Sequence, residues 1–245
     1  MNIIIAAIIP ALVLVYFIYR KDKYDREPPA MILKGFWYGA LSALASFFIS
    51  RPFQVMGLFP TEIVSFEDGV RTALFGAAVP EEISKFVFLW MLLRNNRYFD
   101  EYVDGIVYAV CVGMGFAAFE NIGYVFSDVE NWASINAMRA LTAIPGHFFF
   151  AVMMGYYFSK ASFGKPSLRT FNFCLAILVP VALHAGYDGI LMTSNTAGAV
   201  GGGAALFFGL YFFMALSAKK RFNKLLAKDE DLRRMDFQRE DHYDK

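Results

Sequence analysis

The 245-residue chain has little charge, two cysteines and three histidines. Only 18% of its residues are Asp, Glu, Lys or Arg, where soluble domains carry about a quarter. The formal net charge is +1, and no basic face with interleaved aromatics is present, which excludes nucleic acid as a partner. Cys111 and Cys174 are too few and too far apart for a disulfide framework or a thiolate metal site. Both fall inside apolar runs and read as small packing residues. No internal repeat or linker is evident, so the chain reads as one unit.

What is abundant is apolar sequence: 57% of the residues are hydrophobic and the mean hydropathy is +0.42. The apolar residues form blocks of about 20, the length a helix needs to cross the hydrocarbon core. The expectation is an all-α polytopic membrane protein of about seven transmembrane helices, at 2–20, 31–50, 70–93, 103–126, 139–158, 170–192 and 198–217. Arg20, Lys21, Lys23, Arg26 and Lys34 crowd the first connection, Arg94 and Arg97 the third, and Lys160, Lys165 and Arg169 the fifth. Lys219, Lys220, Arg221, Lys224 and Lys228 follow the last span. The second, fourth and sixth connections are acidic or uncharged apart from Arg51. Basic loops stay in the cytoplasm, so the N-terminus is expected outside and the C-terminus inside. The first apolar run has its charges after it and no cleavage-like end, and reads as a retained span. Residues 1–217 form the expected membrane domain, with its motif core at about 70–192, and 218–245 a charged cytoplasmic tail. Within that tail Phe222, Leu225 and Leu226 suit either a short helix on the membrane surface or a solvated segment behind a basic patch.

Charges inside the spans are the informative exceptions. A carboxylate or ammonium there costs at least about 2.5–3.5 kcal/mol, so such residues face a cavity and act in it. The third span carries Pro80-Glu81-Glu82-Ile83-Ser84-Lys85, the fourth Phe116-Ala117-Ala118-Phe119-Glu120-Asn121, the fifth Pro145-Gly146-His147 and the sixth His184-Ala185-Gly186-Tyr187-Asp188. Helix rise places His147 and His184 about 12 Å below the outer face, Glu120 about 9 Å, and Glu81 and Glu82 about 17 Å. Four spans thus bring polar groups to one layer in the outer half of the membrane. Glu81 and Lys85 share a helix face, as do Phe116 and Glu120, and His184 and Asp188; Glu82 is three residues from Lys85. Pro80 bends or restarts its helix, and in a first turn the helix dipole would favour the acidic pair. Such a layer can hold a water, a base to deprotonate it and donors for an oxyanion, as peptide hydrolysis requires. Each piece has a structural alternative. Glu81, Glu82 and Lys85 would neutralise one another; Glu120 and Asn121 would lock a helix pair; His147 would be a satisfied core histidine; Asp188 would only orient His184. Asp104 reads as an N-cap, Arg139 as a snorkelling residue at the outer face that could also reach a substrate carbonyl, and Gly113, Gly115 and Gly123 as points of close helix approach.

At these residues the sequence resembles the PrsW family of bacterial intramembrane proteases, within the wider superfamily of CAAX prenyl proteases. Glu81-Glu82-x-x-Lys85, Phe116-x-x-x-Glu120, His147 and His184-x-x-x-Asp188 match the family pattern in order, with Asp104-Gly105-x-x-Tyr108 and Asn121-x-x-Tyr124 beside them. The resemblance implies a multi-pass protease of the bacterial cell membrane that makes the first, extracytoplasmic-side cut in a single-pass membrane protein of the anti-sigma-factor class. It implies Glu81 as activator of the water, His147 or His184 as its helpers, and Glu82, Glu120 and Asp188 as orienting or tuning groups; Lys85, Phe116, Asn121 and Arg139 stand in support. There is no HExxH. A metal-free glutamic mechanism is expected, with zinc on Glu81, His147 and His184 as the alternative. Rival functions are a proton-coupled transporter or channel, a membrane scaffold, and a prenyl-protein or bacteriocin-leader protease entered from the cytoplasm. The transporter would bring inverted repeats or paired broken helices, which are not evident. Mutation of Glu81 would separate protease from scaffold.

Overall fold

The computed structural model describes residues 2–22, 25–193 and 203–243. Lys23 of the first connection, the sixth connection with the first five residues of the expected seventh span, and the last two residues of the tail lie outside the described residues.

Every regular element among the described residues is helical. Helix α1, Ile3–Lys21, starts at Asn2, whose side chain accepts from the Ile4 N–H at 3.0 Å. Helix α2, Pro29–Val55, starts on Pro29, which is suited to a first turn because its missing N–H would be unpaired there anyway. The short α3, Phe66–Arg71, has a full capping box between Ser65 and Asp68. It runs through a π-helical segment, Thr72–Ala78, into α4, Val79–Leu93. Then follow α5 (Asp104–Ser127), α6 (Trp132–Leu141), α7 (Ala143–Phe163), a 3-10 turn at Pro166–Leu168, α8 (Arg169–Thr193) and α9 (Gly203–Tyr243).

Among the described residues, five stretches are long and apolar enough to cross a membrane: Ile3–Lys21, Pro29–Val55, Asp104–Ser127, Trp132–Phe163 and Pro166–Thr193. The expected span at 70–93 is instead a broken helical run that carries Glu81, Glu82 and Lys85. The expected span at 139–158 is also divided. Its Arg139 belongs to α6, and Thr142 (φ −121°, ψ −71°) separates α6 from α7.

Helix α5 is the axis of the bundle. Asp104 to Ala118 are buried without interruption, against α2 on one side, α7 on another and α1 on a third. Large apolar side chains such as Phe47, Phe48, Phe208 and Phe212 point outward, as lipid-facing positions require. Glycine permits the closest crossing. A Cβ on Gly39 would lie 2.0 Å from the Val112 carbonyl oxygen, and one on Gly115 would lie 1.9 Å from that of Phe36. Gly113 faces Ala151 as closely as expected, but Gly123 meets nothing within 4 Å and lines a cavity instead. Cys111 is buried in the core, whereas Cys174 is exposed and does not pack there.

Prolines release helix carbonyls, and side chains from other helices take two of them. Pro10 has no N–H for the Ala6 carbonyl, which accepts from Asn136 Nδ2 at 3.2 Å. Pro145 has none for Leu141, whose carbonyl accepts from the Tyr211 hydroxyl at 2.9 Å. Asp104 is not an N-cap of α5. Its carboxylate accepts from the Asp100 and Glu101 N–H groups upstream at 3.0 and 2.6 Å. The Tyr102 and Val103 N–H groups at the α5 start are taken by Asp229 of α9, both at 2.9 Å. Helix α9 therefore does not stop at 217. Ala218, Phe222 and Leu225 lie in the main core with α1, α5 and α7 residues, where the sequence suggested a membrane-surface helix or a solvated segment.

Gly115→Ala is expected to cost about 1–3 kcal/mol, as overpacking does, while Gly123→Ala stays within about 0.5 kcal/mol of wild type. Denaturant unfolding of the two variants in detergent micelles measures the difference.

Candidate active site

The site begins where a continuous helical run changes its winding. Pro80 is the second residue of α4, and Glu81 and Glu82 follow it directly, with the π segment joined to α4 through the Val79 N–H and the Leu74 carbonyl. The π segment just before it widens the helix at the same place, a feature often found at functional sites.

One turn later Lys85 brings its ammonium into the middle of the cluster. Its side chain is 3% exposed and its Nζ donates to Glu82 Oε1 at 2.8 Å and to Glu81 Oε2 at 3.4 Å. It also stands 3.1 Å from His147 Nδ1 and 3.9 Å from the centre of the Phe116 ring. An ammonium only donates, so His147 Nδ1 accepts and its Nε2 carries the proton that goes to Glu120 Oε2 at 2.9 Å. The same Glu120 oxygen accepts from Arg139 Nη2 at 2.7 Å. Arg139 Nε donates to Asn121 Oδ1 at 3.0 Å, and the guanidinium lies 3.7 Å from the centre of the Tyr124 ring. Arg139 is thus buried and holds Glu120, where the sequence suggested snorkelling. Asn121 is fully buried and its amide donates to the Ala7 carbonyl at 2.9 Å and to Asn136 Oδ1 at 2.8 Å.

His184 closes the cluster from α8. Its Nδ1 is 2.9 Å from Glu82 Oε1, its Nε2 3.2 Å from Asp188 Oδ2 and 3.9 Å from Glu81 Oε2. Phe150 stacks on the imidazole at 4.7 Å with an interplanar angle of 19°. The rings of His147 and His184 are 5.3 Å apart and nearly perpendicular.

All ten residues singled out in the sequence meet in this one network. Asn136, Phe150 and the π segment were not singled out. Phe150 sits one turn from His147, which was the available signal; Asn136 carried none, because it joins the site through α1 and α6.

A cavity of about 310 Å³ reaches the cluster from one side, between α2 and α5. Phe47, Phe116, Phe119 and Tyr124 make it apolar, and two carboxylates, Glu81 and Glu120, line it. Their side chains are 14% and 24% exposed, whereas that of Glu82 is fully enclosed.

The donor set also suits a divalent metal. One ligand atom each from Glu81, Glu82, His147 and His184 lie within 4.8 Å of one another, adding Glu82 to the three ligands read from the sequence. Glu82 Oε2 is buried with no hydrogen-bond partner. Each histidine presents Nδ1 to this centre with a carboxylate behind Nε2, Glu120 for His147 and Asp188 for His184. A metal-bound imidazole usually donates its other ring N–H to a carboxylate in this way. Four carboxylates, Glu81, Glu82, Glu120 and Asp188, face two permanent cations, Lys85 and Arg139.

Lys85→Met leaves Glu82 buried without its ion-pair partner and is expected to lower stability by about 3–5 kcal/mol. The double change Lys85→Met, Glu82→Gln should recover most of that loss, as read by thermal unfolding in detergent.

The profile of the PrsW family intramembrane metalloproteases matches residues 27–218. The chain is 34% identical to Protease PrsW of Clostridioides difficile (strain 630), over 78% of this chain and 80% of that one. It is 34% identical to Protease PrsW of Bacillus subtilis (strain 168), over 77% and 82%. It is 36% identical to Protease PrsW of Oceanobacillus iheyensis (strain DSM 14371 / CIP 107618 / JCM 11309 / KCTC 3954 / HTE831), over 78% and 83%. No solved structure matches. The polar network carried by apolar helices and the match over most of the chain place this multi-pass bacterial membrane protein in the PrsW family of intramembrane proteases.

Proposed function

We propose that the chain hydrolyses a peptide bond of a single-pass membrane protein near its extracytoplasmic side, in the manner of the first cut in an anti-sigma factor. The observation that carries this reading is the cavity on which Glu81 and Glu120 converge. An unwound substrate segment enters between α2 and α5, where Phe47 and Phe119 offer apolar walls to its side chains. Glu81 takes the proton of a water in that cavity. Glu81 itself returns that proton to the leaving amine, while His184, 3.9 Å behind it, stays paired with Glu82 and Asp188 and helps to hold its charge. Glu120 is held by Arg139 and orients His147 through Nε2. Seven spans, with the N-terminus outside and the C-terminus in the cytoplasm, put this layer in the outer half of the membrane, as the basic connections suggest.

The mechanism we favour is glutamic. The Lys85 ammonium stands within hydrogen-bond distance of three of the four would-be metal ligands and supplies their positive charge. A second reading follows from the histidine–carboxylate pairs. Glu81, Glu82, His147 and His184 would hold a divalent ion such as zinc, which would acidify a bound water and polarise the substrate carbonyl. In that case Lys85 would have to turn away from the donor centre, and His147 and His184 would hold their Nε2 protons on Glu120 and Asp188.

Membranes containing wild type or Glu81→Gln, with tagged single-pass candidates of the anti-sigma class, test both points. Wild type should generate a new terminus close to the outer face and Glu81→Gln should lower that rate at least about a hundredfold, the lower range for loss of general base catalysis. Equal cleavage by Glu81→Gln removes Glu81 from its role; proton flux without any cleavage replaces the protease by a transporter. A chelator should leave the wild-type rate unchanged. Loss of activity with the chelator, restored by zinc, establishes the metal-dependent reading instead.

A further inference from the structure

A second groove, of about 360 Å³, lies between α1, α7 and α9 and shares no lining residue with the polar cluster. Its walls are aromatic: Phe17 of α1, Phe148 and Phe149 of α7, and Phe222 of α9. Its charged groups are two lysines, Lys21 and Lys219. Lys21 is the last residue of α1, and Lys219 follows directly on the apolar run of α9, so each ammonium stands at the end of an apolar run. Among the described residues no carboxylate is within ion-pair distance of either, and Lys21 Nζ rests over the Phe17 ring at 5.5 Å. Asn223 adds an amide to the lining.

An aromatic-walled slot that carries two lysines at the ends of apolar helical runs is complementary to one kind of molecule, an amphiphile with a negatively charged head and a hydrocarbon chain. We infer that this groove binds an anionic phospholipid, its phosphate between Lys21 and Lys219 and an acyl chain between Phe149 and Phe222. A zwitterionic lipid is the poorer fit, because its own cation adds repulsion beside two lysines. The site has a mechanical link to the rest of the fold. Phe148 directly follows His147 on α7, so an occupant bears on the helix that carries one of the cluster's two histidines.

The test uses the full chain in neutral detergent with equal amounts of phosphatidylglycerol and phosphatidylcholine bearing identical acyl chains, followed by native mass spectrometry. Wild type should retain one phosphatidylglycerol in roughly thirtyfold preference, in line with the contribution of two basic residues near a membrane surface. Lys21→Gln with Lys219→Gln changes only exposed side chains and should abolish the preference. Ala215→Trp fills the groove while keeping both lysines and should lower retention of either lipid several-fold. Equal retention of the two lipids by wild type overturns the inference, as does an undiminished preference in the double lysine variant.

Discussion

One ammonium group in the middle of the protein sets the terms for everything around it. Lys85 is enclosed, yet a charge in a bilayer-spanning fold is tolerated only if other groups answer it. Glu82 answers most directly, Glu81 at longer range, and His147 and Phe116 complete the surroundings. Because these partners come from three helices, the ammonium ties α4 to α5 and α7, and through Glu82 it reaches His184 on α8. Removing any one member leaves another buried and unpaired, so the network stands or falls as a unit.

Such a network can form only if helix backbones come close and keep their register. Glycine at the crossing of α2 and α5 removes the side chains that would hold them apart. The two ends of α5 are pinned by polar contacts of a different kind. Asp229 reaches from α9 to the N–H groups at its start, while Asn121 near its other end holds the backbone of α1. Prolines take part by what they withhold. The carbonyls left unpaired by Pro10 and Pro145 become acceptors for Asn136 and Tyr211, so helix breaks turn into helix contacts.

The same geometry serves two kinds of hydrolytic chemistry. Carboxylates exceed permanent cations in the cluster, and protons or a divalent ion can make up the difference. The pairs of histidine and carboxylate favour an ion, in keeping with the family's description as metalloproteases. The position of Lys85 among the ligands favours protons. Glu81 and Glu120 line the cavity, and Glu82 is sealed behind them.

Composition and the spacing of charges were enough to assign this chain to a helical membrane protein, and with the family resemblance they picked out the ten residues that converge. Apolar blocks of span length have no other stable home, and a charge placed within them needs a reason that can be read locally. The i, i+3 and i, i+4 pairs within α4 and α8 were equally legible, since helix geometry alone brings them together. Partners across helices were not. That Arg139 grips Glu120 rather than reaching for the surface, that Asp229 caps α5 from 126 and 127 residues away, and that Phe222 lies in the core depend on how helices pack. The π segment and the break at Thr142 are likewise settled by packing, because neither has a periodicity that distinguishes it from regular helix. The sequence by itself determined the environment and the chemical groups, through the cost of placing charge in hydrocarbon. Only the tertiary structure decided which charge answers which, because that depends on distances between helices that no single helix encodes.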